Sequence, residues 1–218
     1  MPKIITIDGP AGAGKSTISR LLAEKLNYLY LDTGAMYRAV AWESKRRKIA
    51  SDDGQKLDNM CKNIDIKFKS SRNGNRIYIG KKDISTHIRT PEMDILSSSV
   101  SRMKEVRKAM TELQRKVGAS ADLVAEGRDM GTVVFPDADY KLFITASLEV
   151  RAKRRYEELV ERGVSVTLED VREDIKKRDK QDETRPIAPL RPAENAIIID
   201  STALGIKEVL EVVLNKIK

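Results

Sequence analysis

Eight consecutive residues, Gly9-Pro10-Ala11-Gly12-Ala13-Gly14-Lys15-Ser16, fit the pattern G-x-x-x-x-G-K-S/T, and Thr17 follows them. Small side chains let backbone N–H groups converge on an anion, and a helix starting at the end of the loop adds the positive end of its dipole. The chemistry this favours is capture of a nucleoside triphosphate. Lys15 would reach the β- and γ-phosphates as a point charge, and the Ser16 hydroxyl would ligate Mg²⁺, whose remaining ligands are phosphate oxygens and water. Such a loop works only between a strand and a helix. Ile4-Ile5-Thr6-Ile7 supplies an apolar run before it, and the stretch from Ile18 to Leu26 has helical composition after it. The other reading of the string is a glycine-rich turn without a ligand, which both flanking elements argue against.

The rest of the composition narrows the possibilities. The chain has 218 residues, 40% hydrophobic and 34% charged, which suits one full core with an appended subdomain. No apolar stretch approaches the roughly 20 residues that cross a bilayer. Met1-Pro2-Lys3 leads straight into a strand, so a cytoplasmic protein without a membrane partner is expected. Cys61 is the one cysteine and His87 the one histidine. They leave no set for zinc and no internal disulfide, and are read as structural or exposed. A net charge of +8 invites a nucleic-acid partner. However, the charge is mixed with acids, as from Arg172 to Asp179, and aromatic residues make up only 5% of the chain, few for a base-stacking platform. No nucleic-acid partner is expected. An excess of arginine equally suits a second, smaller phosphorylated ligand.

The elements that must position the loop alternate. Lys3 to Asp8, Tyr28 to Leu31, Asp122 to Glu126, Tyr140 to Thr145 and Ala196 to Ile199 are short apolar runs, the pattern of parallel strands covered on both faces. Helical stretches separate them, the last carrying Ile206, Val209, Leu210, Val213 and Ile217 on one face. This predicts an α/β, three-layer fold around a five-stranded parallel sheet. Two excursions interrupt it. Ile64 to Phe68 and Arg76 to Ile79 alternate apolar with polar around the turn-like Ser70 to Asn75, which predicts an antiparallel hairpin; a helix from Met103 to Gly118 then returns to the sheet. After the fourth strand, a helix with Arg151, Arg154 and Arg155 ends near Gly163, and Thr167-Leu168-Glu169-Asp170 has the form of a capping box opening a helix with Arg178 and Asp182, stopped at Arg185-Pro186. Two arginine-loaded helices leaving the ligand edge of the sheet read as a lid, or as exposed helices with solvated charges. The expected division is a core of about 1–60, 100–150 and 186–218, an insert of about 61–99 and a lid of about 151–185.

Neither the D-x-x-G nor the N-K-x-D string of a GTPase occurs, and there is no second P-loop. A compact kinase for a small acceptor remains. Asp32-Thr33-Gly34-Ala35-Met36-Tyr37-Arg38 follows the second strand, and the string from Glu126-Gly127-Arg128-Asp129-Met130-Gly131-Thr132 to Asp137 follows the third, both at carboxyl ends where open α/β sheets bind ligands. Together with the P-loop these strings closely resemble the bacterial-type cytidylate kinases of the nucleoside monophosphate kinase superfamily. Ile88-Arg89-Thr90, Val106-Arg107, the run from Arg178 to Arg185 and Asp200-Ser201-Thr202 match in order, so the resemblance covers nearly the whole chain.

The resemblance implies transfer of the ATP γ-phosphoryl group to CMP or dCMP by a Mg²⁺-dependent monomer with core, nucleotide-binding insert and lid, and sheet order 2-3-1-4-5. It implies that Arg38 and Arg128 grip the CMP phosphate, while Lys15, Arg178 and Arg185 surround the transferring group. Arg178 and Asp182 are similar to the family's pentose contacts, and Ser98, Arg107 and Asp129 to its cytosine contacts. Thr33 and Tyr37 fall in the same acceptor site, and Arg154 and Arg155 in the ATP site. Thr33 stands where serine also occurs and keeps the hydroxyl. Glu126 stands where aspartate is common, which puts its part in ordering the magnesium shell in question. A related P-loop kinase with another acceptor and a nucleic-acid-binding ATPase are the alternatives.

Overall fold

In the computed structural model, described for residues 2–69 and 76–217, the P-loop strand is the middle of a sheet. In chain order the elements are β1 (Ile4–Asp8), α1 (Lys15–Leu26), β2 (Leu29–Asp32), α2 (Thr33–Arg46), α3 (Gly54–Lys62), β3 (Ile66–Lys69), β4 (Arg76–Ile79), β5 (Lys82–Asp83), α4 (Pro91–Val100) and α5 (Lys104–Gly118). They continue with β6 (Leu123–Gly127), a π-helical turn (Met130–Val134), β7 (Tyr140–Thr145), α6 (Leu148–Glu161), α7 (Leu168–Thr184), β8 (Ile197–Asp200) and α8 (Ile206–Lys216). The chain divides into two compact units, Met1–Leu31 with Ala121–Lys218, and Asp32–Ser120.

The first unit is built on the large sheet, ordered β2-β6-β1-β7-β8, the order 2-3-1-4-5 by appearance. β1 runs parallel to β6 and β7, and β7 parallel to β8. Its central strands read as unbroken apolar runs because helices cover them: every residue of β6 is buried, as are Ile5 and Ile7 of β1. Ile18, Leu22 and Ala23 of α1 and Val209 and Val213 of α8 fill one core with them. At about 25 cal/mol per Å², each of the Ile, Leu and Val side chains contributes roughly 1.5–3 kcal/mol. α6 and α7 pack against each other through a smaller cluster, Ala152, Leu159, Val171 and Ile175. The capping box at Thr167 and Asp170 is present.

The second unit holds α2, α3, α4 and α5 with a three-stranded sheet, β3-β4-β5. β3 and β4 pair antiparallel, Ile66 opposite Ile79 and Lys69 opposite Arg76, as the alternation predicts. The expected turn at Ser70 to Asn75 lies outside the described residues. This unit takes in the stretch 61–99 expected as the insert, together with 32–60 and 100–120, which were expected in the core. Cys61 is buried on α3, where desolvation pushes its thiol up to about 11, and His87 packs edge-on against Trp42 at 5.9 Å.

Differences from the sequence reading have local causes. Tyr28 follows the cap of α1 and closes it, its N–H bonded to the Ala23 carbonyl at 2.8 Å beyond a left-handed Asn27, so β2 starts one residue later. Lys3 precedes β1 and donates its N–H to Asp122. Ile206 sits on the first turn of α8 and is 56% exposed, so the buried stripe narrows to Val209 and Val213. β5, two residues long, is too short to carry a period, and the π-helical turn has no sequence signature.

Candidate active site

The P-loop leaves β1 through Gly9, at φ +145°, where a Cβ would lie 2.0 Å from the Ile144 carbonyl oxygen. No larger residue fits there. Gly12, at φ +75°, is held as closely: its Cβ would meet the Arg151 carbonyl oxygen at 2.8 Å. Between and beyond them Pro10, Ala11, Ala13 and Gly14 carry the chain to Lys15, the first residue of α1, with Ser16 exposed and Thr17 half-buried on its first turn. Lys15 folds back over the loop and donates from Nζ to the Pro10 carbonyl at 2.6 Å. Burial pushes its ammonium down to about 7, and the neighbouring Arg128 guanidinium acts in the same direction against the pull of Glu126, Asp8 and Asp182.

Ser16 Oγ donates to Glu126 Oε2 at 2.9 Å, and the Tyr30 hydroxyl donates to Glu126 Oε1. The hydroxyl proton of Ser16 is therefore directed at the carboxylate, and its lone pairs are turned elsewhere. That arrangement fits a cation beside Ser16, with the Glu126 carboxylate setting the orientation of the hydroxyl. Asp8, the last residue of β1, accepts from the amides of Met130 at 2.9 Å and Gly131 at 2.8 Å, clamping the segment that follows Arg128 and Asp129. Burial pushes the Asp8 carboxyl up to about 6, and those two amide bonds offset part of the rise.

Around this lies a network of opposite charges. Arg128 donates from Nε to Asp182 Oδ2 at 2.9 Å. Arg185, 7% exposed, pairs with Asp182 at 3.6 Å and with Asp129 at 3.6 Å, and donates from Nε to the Ala188 carbonyl at 2.7 Å. Burial alone would raise the Asp182 carboxyl, but the charges of Arg128 and Arg185, with Arg178 in support, hold it below the ordinary carboxylate value. The structure thus brings Lys15, Ser16, Arg128, Asp129, Arg178, Asp182 and Arg185 into one unit. Arg154 instead ties α6 to the loop after β8, donating to Ser201 Oγ at 3.0 Å and the Ser201 carbonyl at 2.8 Å. Arg155 pairs along its own helix with Glu158 at 2.6 Å.

The second unit has its own polar cluster. Asp32 caps α2, accepting from the Ala35 amide at 2.8 Å, and pairs with Arg38 at 3.4 Å; Asp94 of α4 lies 3.9 Å from the same guanidinium. Arg107 is 5% exposed, donates to the Ser101 carbonyl at 3.1 Å, and stands 5.7 Å from the centre of the Tyr37 ring. Thr33 is buried at the head of α2, and Ser98 is half-buried on α4. The sequence reading missed Asp8, Tyr30, Asp32, Asp94, Arg151 and Asp179. Asp32 stood in the string after the second strand, Arg151 in the basic helix after the fourth and Asp179 in the run from Arg178 to Arg185, but none was given a role; Asp8 showed only as a carboxylate in a run otherwise read as a buried strand.

The family model described as cytidylate kinase matches residues 5–218. The chain belongs to the cytidylate kinase family. It is 50% identical over 215 residues to the cytidylate kinase of a Geobacter species, covering 99% of this chain and 92% of that protein. It is 48% identical to that of Thermosipho melanesiensis, with 100% and 98% covered. Two solved structures place the fold alone among P-loop kinases. A shikimate kinase from Acinetobacter baumannii has TM-score 0.50 at 14% identity, covering 100% of this chain and 93% of its own. A gluconokinase from Sinorhizobium meliloti has TM-score 0.50 at 13% identity, covering 99% and 91%.

The lowered Lys15 pKa has a measurable consequence. The neutral amine prevails above about 7 in the free protein, whereas a bound triphosphate favours the ammonium and raises its pKa. ATP binding at pH 8 should therefore take up protons, and affinity should weaken as pH rises from about 7. Titration calorimetry in phosphate and in Tris reads the uptake as a buffer-dependent heat, expected in the native enzyme and absent in Lys15→Met. Equal uptake in the two proteins would assign the proton to another group.

Proposed function

We propose that the protein is an ATP-dependent CMP and dCMP kinase, giving CDP or dCDP and ADP. The observation that carries this reading is the buried Lys15 of the P-loop set in the same unit as the Arg128–Asp182–Arg185 network, within a chain of the cytidylate kinase family. Phosphoryl transfer asks for alignment of two anions and neutralisation of their charge, with little covalent work for the protein. Gly9 to Thr17 cradle the triphosphate. Lys15, Arg128, Arg178 and Arg185 meet the charge that spreads over the transferring group. Thr33, Tyr37, Arg38, Ser98, Arg107 and Asp129 serve the acceptor nucleotide, and Asp182 with Arg178 serves its pentose. Arg154 and Arg155 belong to the ATP side, Arg154 by fixing Ser201 beside the loop. Mg²⁺ would be held through the Ser16 hydroxyl oxygen and would supply neutralisation of the phosphate charge. Glu126 and Tyr30 keep that oxygen turned outward.

Residues 151–185 act as the lid, excluding water that would compete as phosphoryl acceptor. The enzyme is read as a cytoplasmic monomer without a nucleic-acid or membrane partner. Mixed charge along its helices supports the part about nucleic acid. None of its described helices is long and apolar enough to cross a membrane. Coupled ADP release across CMP, dCMP, UMP, AMP, GMP and shikimate tests the function. Turnover is expected with the two cytidine nucleotides. Preference for shikimate or a purine nucleotide would overturn the acceptor, and stimulation by oligonucleotides would overturn the class.

A further inference from the structure

Arg151, on the first turn of α6, is buried and makes three contacts that belong to no phosphate-binding sequence. Its Nε donates to the Ala146 carbonyl at 2.9 Å, pinning the guanidinium to the entry of its own helix. One terminal nitrogen donates both to the carbonyl of Ala11, in the middle of the P-loop, at 3.1 Å and to Asp179 Oδ2 of α7 at 2.5 Å. The backbone of the same residue lies against Gly12 so closely that a Cβ there would clash. The P-loop, α6 and α7 are thus joined through one side chain.

Asp179 does not stand alone on α7. Asp179 and Asp182 lie three residues apart on α7, and Arg185 caps the end of the same helix. These three residues meet, in order, Arg151, Arg128 and Asp129. The last two hold the network assigned to the transferring phosphoryl group. The first, Asp179, pairs with Arg151 and adds its charge to those around Arg128, and among the described residues its Oδ1 is buried without a hydrogen-bond partner. As a stabilising device this is poor, because a buried ion pair seldom repays its desolvation and an unsatisfied carboxylate oxygen adds to the cost. As a spacer it is well placed.

We propose that the Arg151–Asp179 pair is a strut that sets α7 in register with the P-loop, making both residues positioning residues for phosphoryl transfer. An error of about 1 Å in the placement of a charge is enough to cost roughly a hundredfold in rate, so a strut acting through Arg178, Asp182 and Arg185 is visible in turnover. This rests on the kinase reading above, and activity of the native enzyme with CMP is the control that separates the two.

Two variants divide positioning from stability. Asp179→Asn keeps the shape and removes the charge. The double variant Arg151→Met with Asp179→Leu replaces the pair by apolar side chains, the kind of exchange that is often neutral or stabilising. Both should lose at least about tenfold in kcat, with KM for ATP and for CMP within about threefold of the native values. The melting temperature of the apolar pair should equal or exceed that of the native enzyme. Native kcat in the apolar pair would overturn the proposal, since packing alone would then suffice. A loss confined to KM for ATP would overturn it as well, because Arg151 would then be a nucleotide contact. If Asp179→Asn fails to fold, the apolar pair decides by itself. An inactive native enzyme would instead sink the kinase reading.

Discussion

Lys15→Ala is expected to lower kcat about a hundredfold or more, equivalent to about 2.7 kcal/mol, while ATP affinity changes much less. The ammonium sits on the loop, already desolvated and held by the Pro10 carbonyl at 2.6 Å, so little reorganisation remains when charge develops on the transferring group. Interactions stronger in the transition state than in bound ATP appear in kcat. The same substitution should leave the melting temperature unchanged or raised below pH 7. The folded protein releases the Lys15 proton at about 7, the unfolded chain near the ordinary 10.5, so the cost of burying the charge is complete below pH 7 and is relieved as pH rises between those values. Alanine removes that cost. Steady-state kinetics with thermal unfolding checks both halves; turnover within about tenfold of native would contradict the role of Lys15.

CMP should exceed UMP in kcat/KM by at least about a hundredfold, and Asp129→Ala should shrink that ratio mainly by harming CMP. Cytosine presents an amino donor beside a ring acceptor, and uracil reverses both. A carboxylate and a guanidinium set for cytosine would each be left unpaired by uracil at roughly 1–3 kcal/mol apiece, more for charged groups. Arg107 is suited to the donor part, being buried and fixed by the Ser101 carbonyl and the Tyr37 ring. Asp129 carries a second commitment, its pair with Arg185 at 3.6 Å. The two roles part in the kinetics. If Asp129→Ala lowers kcat equally for CMP and UMP and the ratio survives, Asp129 acts through Arg185 on the phosphoryl group, and discrimination must rest on Arg107 and Ser98.

The large sheet was legible because its strands are buried on both faces and interrupt helical stretches, so that five apolar runs found five strands within a residue at each end. Order came from the resemblance, since no periodicity in one chain says which strands are neighbours. The P-loop was legible because its glycines answer local demands: Gly9 and Gly12 face backbone atoms at 2.0 and 2.8 Å, and no other residue type could stand there. What sequence could not show was pairing across long separations. Asp8 meets the amides of Met130 and Gly131, Tyr30 meets Glu126, and Arg151 meets Asp179; each partner looks by itself like a strand end, a strand aromatic or a solvated helix charge. Charge runs such as that from Arg172 to Asp179 mislead for the same reason. Arg172 pairs on the surface with Glu169, whereas Asp179 is buried in the strut, and the sequence holds no mark that separates them.

Phosphoryl transfer to cytidylate in preference to every other acceptor is tested most directly by competition. The native enzyme, limiting ATP, Mg²⁺ and equal concentrations of CMP, UMP, AMP, GMP and shikimate are incubated together, and the phosphorylated products are identified by mass. CDP is expected to appear first and in large excess, with UDP about a hundredfold lower and ADP in amounts matching the CDP formed. Accumulation of UDP, GDP or shikimate phosphate ahead of CDP, or ADP without any phosphorylated acceptor, would contradict the account.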